Sequence, residues 1–317
     1  MCNSFIGTNF CLKTLDIKTN QIVDIDIRQL QQFDSLMEAI KKERGASLLF
    51  RGNRTPQRQY GVSPASNIGE LASYVFMVGD KAHSFWEALA GKPQSVNQKE
   101  YAEQLFDIIK DKICDMNVLN DSVRKHIHDF IVCNGSFKTY FIDAQKQHFI
   151  SAFTHCKGGY INDYYCMILH TLGHSTFHNS EYLSTSLSFS QAQVFSGVKG
   201  IVTIAWVTRR SIMTFHNMNK FNEKIGKLGL PTYSTGMYPE QKEICLKYGL
   251  LPHFILGFIY QDTFIVNPTL FIDLNNHRDI NQILHHGINI DQTNFLKILR
   301  QTNFKRGINL ATGCYIY

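Results

Sequence analysis

The strongest constraint on the fold is a change of pattern near residue 180. Before it, apolar residues recur mostly at helical spacing. After it, they gather into short β-branched and aromatic runs divided by Gly, Pro, Asn and Ser. These runs are "EYLSTSLSF", "GIVTIAWV", "KEICL", "HFILGFIY" and "TFIVNPTLF", followed by two short helical segments, "INQILHHG" and "QTNFLKILRQ". Upstream, "SFIGTNFCL" and "IVDIDI" read as strands. "RQLQQFDSLMEAIKKE" places Leu30, Phe33, Leu36, Met37 and Ile40 on one helical face. "ASLLFRGN" reads as a buried strand. From about 69 to 172 the chain is mostly helical, with amphipathic "YAEQLFDIIKDKICDMNVL" and "SVRKHIHDFIVC", then "NDYYCMILHTLG" ended by Gly173. A helical insertion between an early strand and a strand-rich second half predicts the α+β class. The expected organisation is one domain over 1–317 with the insertion at 70–170.

Composition excludes several classes. A chain of 317 residues, 44% hydrophobic and 18% charged, is long and apolar enough to bury a core, which argues against global disorder. No window approaches 18 consecutive apolar residues, so no membrane span is expected. The start, "MCNSFIGTNFCLKTLDIKTN", lacks a basic region followed by an apolar run, so no export signal is expected either. Eight cysteines contain no C-x-x-C, which speaks against a metal ribbon or disulfide scaffold and fits a reducing cytoplasm. Charge is uneven: residues 1–150 carry 18 basic and 17 acidic residues, and 151–317 carry 14 and 9. A basic second half permits a polyanionic partner.

Three short motifs carry chemistry. In "LLFRGNR", Arg51 ends an apolar strand beside Gly52, where a guanidinium can fork onto phosphate and glycine allows close backbone approach. In "YLSTSLSFSQAQVF", strand alternation puts Ser184 and Ser186 on one face, Leu183 and Thr185 on the other. In "YPEQKEI", an extended backbone would project Gln241 and Glu243 to the same face, an amide beside a carboxylate. Each alone has an ordinary structural reading. His170, His174 and His178 recur every four residues, but Gly173 interrupts them and no Glu or Cys joins at ligand spacing, so no metal is expected. There is no G-x-S-x-G, no G-x-G-x-x-G opening a helix and no G-x-x-x-x-G-K-[ST].

The three motifs in this order resemble the R-S-E class of mono-ADP-ribosyltransferases, in its Q-x-E variant. The matching residues are Arg51, Ser184-Thr185-Ser186 and Gln241-Lys242-Glu243, with Ala192 and Phe195 following at the interval of a short helix and Ile244 after the glutamate. "LLFRGN" with "LHTLGHST" also resembles FRG-type domains, distant relatives of the same fold. The likeness covers the pocket motifs and strand order but not residues 70–170. It implies a split β-sandwich core, with NAD as a substrate and no metal. Arg51, Gly52, Ser184, Thr185, Ser186, Phe189 and Phe195 would bind the dinucleotide. Ser184 would orient Arg51 or the ribose, and Glu243 would stabilise the oxocarbenium-like centre left when nicotinamide departs.

Within that resemblance Gln241 indicates the acceptor. Arginine-directed members carry a glutamate there, and a neutral amide suits an uncharged nitrogen instead. The likeness is to cytoplasmic toxins of toxin–antitoxin and phage-defence systems, among them the CmdT type that modifies mRNA adenines. It implies a single-stranded RNA target and an antitoxin or chaperone partner. Tyr233, Tyr238 and Tyr60 are aromatic candidates to stack an unpaired base. Two alternatives stay open: an enzyme modifying a protein Asn or Gln, and an inactive module that binds a nucleotide or partner.

Overall fold

The computed structural model describes residues 10–80, 82, 97–114, 129, 132–142, 145–155, 160–172, 182–208, 214–216, 219–232, 242–247, 249–290, 308–309 and 314–315. The chain divides into two compact units. Unit 1 comprises Met1–Trp86, Leu183–Phe215 and Gln241–Lys305. Unit 2 comprises Glu87–Tyr182, His216–Glu240 and Arg306–Tyr317. The helices, in chain order, are α1 (Ile27–Lys42), α2 (Pro56–Tyr60), α3 (Ile68–Val78), α4 (Gln98–Cys114), α5 (Gly135–Ile142), α6 (Lys146–His155), α7 (Tyr160–Leu172), α8 (Phe189–Ser196), α9 (Asn219–Gly226), α10 (Pro268–Asn275) and α11 (Ile280–His286). The helical region read from the sequence therefore divides: α3 lies in unit 1, and α4 to α7 lie in unit 2. The segment at 122–133 falls largely outside the described residues, and 292–301 entirely so.

Nine strands form one mixed sheet. They are β1 (Cys11–Asp16), β2 (Gln21–Asp24), β3 (Ser47–Asn53), β4 (Tyr182–Ser186), β5 (Ile201–Val207), β6 (Thr214–His216), β7 (Glu243–Lys247), β8 (Ile255–Tyr260) and β9 (Thr263–Val266), in the order β2-β1-β9-β8-β5-β3-β4-β7-β6. Sheet and helices together make an α+β chain. β1 runs parallel to β9, whereas β3–β5, β5–β8 and β8–β9 are antiparallel. β5 is buried along its whole length because it is flanked by β3 and β8, and its run "IVTIAWV" has no polar alternation beyond Thr203. The sheet thins at one join. β3 pairs with β5 from Ser47↔Val207 to Asn53↔Ile201, yet with β4 only at Phe50↔Ser186.

Local signals explain the boundaries. α1 opens on a capping box: the Asp26 carboxylate accepts from the Gln29 amide N–H, and the Gln29 side chain accepts from the Asp26 N–H. Its buried face is Phe33, Leu36, Met37 and Ile40, and Leu30 packs at the margin. One expectation fails: "TFIVNPTLF" is a strand only to Val266. Buried Asn267 then caps α10, accepting from Thr269 N–H at 3.1 Å and donating to the Ile255 carbonyl at 3.1 Å. Pro268 cannot donate to a ladder but is tolerated in a first helical turn.

Unit 2 has its own aromatic core. Phe106 meets Phe141 and Phe149, and Tyr165 packs against both of the latter. Burial pushes the Tyr165 hydroxyl well up, and it donates to the Pro231 carbonyl at 2.9 Å. A short pair, β10 (Ile308–Asn309) with β11 (Cys314–Tyr315), is antiparallel. Among the described residues, no helix is long and apolar enough to cross a membrane, and Cys11, Cys133, Cys166 and Cys245 are free thiols.

His253, in the 3-10 turn Pro252–Phe254 before β8, is held down to about 4, chiefly by burial and further by the Arg278 charge. A depressed histidine contributes stability that is present above its unfolded value near 6.5 and is lost as pH falls through its folded value. Unfolding free energy should therefore decline between pH ~6.5 and ~4, by up to roughly 3 kcal/mol at about 1.4 kcal/mol per pKa unit. Denaturant titrations of wild type and His253→Leu across this window check it; a variant as acid-sensitive as wild type would contradict the assignment.

Candidate functional site

The described site residues lie in unit 1: Arg51 and Gly52 on β3, Ser184, Thr185 and Ser186 on β4 and Glu243 on β7, which are neighbouring strands, with Phe189 and Phe195 on α8 and Tyr60 on α2. Arg51 is the third residue from the end of β3, and its side chain is 24% exposed. Its Nη1 donates to the Ser184 carbonyl at 3.2 Å, across the join where the ladder has only one pair. Its Nε donates to Asp80 Oδ2 at 3.4 Å. A guanidinium has five N–H donors, and these two bonds use one on Nε and one on Nη1.

Asp80 follows α3 and its side chain is 1% exposed. Oδ1 accepts from Gln59 Nε2 at 2.7 Å, and Gln59 Oε1 accepts from Asn53 Nδ2 at 2.7 Å. The Asp80 backbone exchanges hydrogen bonds with Leu250, at 2.9 Å and 2.7 Å. Gly79 turns the chain into this bridge at φ +76°, where a Cβ would lie 2.2 Å from the Leu250 carbonyl oxygen. Sequence reading missed Asp80, Gln59 and Asn53. The available signal was an aspartate one glycine beyond the apolar helix "LASYVFMV", a place where a carboxylate needs a partner.

The Ser-Thr-Ser run divides its work. Thr185 Oγ1 donates to the Ile244 carbonyl at 2.6 Å, and Leu187 N–H to the Lys242 carbonyl at 3.1 Å, so these contacts fasten β4 to β7. Ser186 Oγ accepts from Ser188 N–H at 2.9 Å as the chain leaves the strand. Ser184 instead bonds the sulfur of Cys245, whose thiol donates to Glu243 Oε1 at 3.4 Å. Burial pushes the Cys245 thiol well up, and the Glu243 carboxylate adds to this. A neutral thiol thus links the serine strand to the glutamate strand, a role that sequence reading gave to no cysteine.

Glu243 opens β7 and is partly buried. The expectation that Gln241 and Glu243 share a face assumed extended backbone through Lys242. Lys242 has φ +47°, a left-handed turn, so extended geometry begins only at Glu243. Gln241, Tyr233 and Tyr238 lie outside the described residues, as do His174 and His178. Among the described residues, no group of three metal-ligating side chains occurs. Tyr60 is corrected: it is 2% exposed and donates to the Gly79 carbonyl at 3.0 Å, so its ring cannot stack a base.

Gly52 and the two phenylalanines belong to the other face of β3. A Cβ on Gly52 would lie 2.0 Å from the Ala192 carbonyl oxygen of α8, so the close backbone approach there is made by a helix. Phe189 packs edge-on against Phe50 at 5.6 Å and Phe10 at 6.0 Å. Arg51 lies between Phe50 and Gly52 and projects from the opposite face by strand alternation. Phe195 is 44% exposed, and it too lies on α8, on the Gly52 side of β3.

Two outcomes follow. Gly52→Ala must displace helix backbone, so it should lower unfolding free energy by roughly 1–3 kcal/mol. Gly135→Ala, with nothing within 4 Å, should be neutral or stabilise α5 by up to about 1 kcal/mol. Urea titrations compare them. In the native protein at pH 8, iodoacetamide should label exposed Cys11 and Cys133 and spare Cys245 until the chain unfolds. Mass spectrometry reads the sites; rapid native labelling of Cys245 would contradict its protonated, buried state.

No protein-family model, curated protein or solved structure matches the chain.

Proposed function

We propose that the chain is an NAD-dependent mono-ADP-ribosyltransferase that transfers ADP-ribose to a nucleobase nitrogen, with RNA as the target and a split-sandwich transferase core in unit 1. The observation that carries this reading is the strand order β3-β4-β7. Arg51, the Ser184 strand and Glu243 come from three distant parts of the chain and occupy consecutive strands. Two direct links support it: Arg51 to the Ser184 backbone, and Ser184 through Cys245 to Glu243. The thin β3–β4 join is compatible with two half-sheets that splay there.

In this reading the remaining Arg51 donors hold the pyrophosphate of NAD by charge-assisted hydrogen bonds. Glu243 faces the nicotinamide ribose. The C1′–N bond breaks, nicotinamide leaves with the bonding pair, and the carboxylate stabilises the positive ribose centre. The acceptor nitrogen forms the new C1′–N bond and releases its proton to solvent. The Cys245 thiol, kept neutral by burial, donates to Glu243 Oε1 and helps fix the orientation of that side chain. Gln241 is the acceptor-side residue in this proposal because its uncharged amide suits an uncharged nitrogen. The basic excess of residues 151–317 suits a phosphate backbone. A protein antitoxin or chaperone belongs to the same proposal, as does action in the cytoplasm.

Labelled NAD incubated with the protein and total cell extract tests the reading, with parallel RNase, DNase and protease treatments. Label removed by RNase alone is expected. Removal by protease alone would move the target to a protein side chain, and no transfer with NAD intact would sink the enzymatic reading. Glu243→Gln should reduce transfer roughly 100- to 1000-fold, the scale for losing a preorganised electrostatic group.

A further inference from the structure

We propose that Asp80 is a positioning residue for Arg51, holding the guanidinium so that its outer edge is presented to an anionic ligand. This rests on reading Arg51 as the anion contact. A long arginine on a strand ordinarily samples several rotamers, and fixing one is entropically costly. Here the Nε end is held at 3.4 Å by a carboxylate that is itself braced. Asp80 is held through its backbone by Leu250 and through Oδ1 by Gln59, which is held in turn by Asn53. Asn53 Oδ1 accepts from Thr55 N–H at 3.0 Å, so the chain of bonds ends in backbone. Tyr60 closes the same corner through the Gly79 carbonyl.

The arrangement has a directional consequence. Asp80 takes the Nε proton and the Ser184 carbonyl takes one Nη1 proton, so the protein uses two of the five guanidinium N–H groups. The remaining Nη donors form the fork that a phosphate oxygen pair can accept. Asp80→Asn should loosen this geometry. An amide can accept from Gln59 or from Arg51, but with its oxygen on one it turns an N–H towards the other.

The test reads arginine motion and nucleotide binding separately. The Arg51 Nε–H resonance, assigned by its loss in Arg51→Lys, should have an order parameter near 0.85 in the wild type and below about 0.6 in Asp80→Asn. Gln59→Met, which keeps the carboxylate but removes its 2.7 Å brace, should give an intermediate value and covers the case in which Asp80→Asn does not fold. NAD affinity by calorimetry should fall about tenfold in Asp80→Asn, with KM rising and kcat within about twofold. In an Arg51→Ala background the same change should shift affinity by less than about twofold, since residues acting as a unit are not additive. An Arg51 signal as rigid in the variants as in wild type would overturn the proposal, as would an undiminished Asp80→Asn effect without Arg51. If the arginine loosens but the wild type does not bind NAD, the positioning role stands and the transferase reading fails.

Discussion

Unit 1 depends on how the weak join between β3 and β4 is held. A sheet normally gains its cohesion from a continuous ladder, and here one residue pair spans the gap. Two other interactions supplement it. Arg51 reaches across to the Ser184 carbonyl, and α8, which follows β4, lies against Gly52 of β3 on the opposite face. Thr185 in turn ties β4 to β7. The arginine can serve in this place because Asp80 balances its charge. A guanidinium partly removed from water needs an anionic partner, and a carboxylate that is 1% exposed needs a cationic one. Each makes the other tolerable, and Gln59 satisfies the second carboxylate oxygen.

That balance separates the two faces of β3. On the Phe50–Gly52 face the strand is sealed by α8, with Phe189 packed against Phe50. On the Arg51 face, polar groups from three strands and the α3 exit converge. Ser184 belongs to two networks at once: its carbonyl receives Arg51, and its hydroxyl meets the Cys245 sulfur that donates to Glu243. A cation and a carboxylate are thereby positioned by one serine, a geometry suited to a ligand with an anionic group at one end and a developing positive charge at the other.

Much of the local structure was legible in the residues. The α1 face, the capped start of that helix, the buried β5 run and the strand positions of Arg51 and Ser184 follow from periodicity and turn chemistry. Local reading failed where a short-range rule met a competing one. Asn267-Pro268 cut an apolar run that looked like strand, and Lys242 adopted a left-handed turn that a lysine rarely takes. Tyr60 illustrates the other kind of miss: nothing in "RQYG" tells that its ring is buried and its hydroxyl bound to Gly79.

The amino-acid order by itself determined the α+β class and which residue types the strand motifs carry, because side-chain alternation and helical spacing are properties of neighbouring residues. Only the tertiary structure decided that these motifs occupy adjacent strands, that Asp80 is the partner of Arg51, that Cys245 joins Ser184 to Glu243, and that Gly52 serves a helix. Each of those is a pairing across the chain. Arg51 and Ser184 are 133 positions apart, and their contact depends on strand order and burial, which no local window contains.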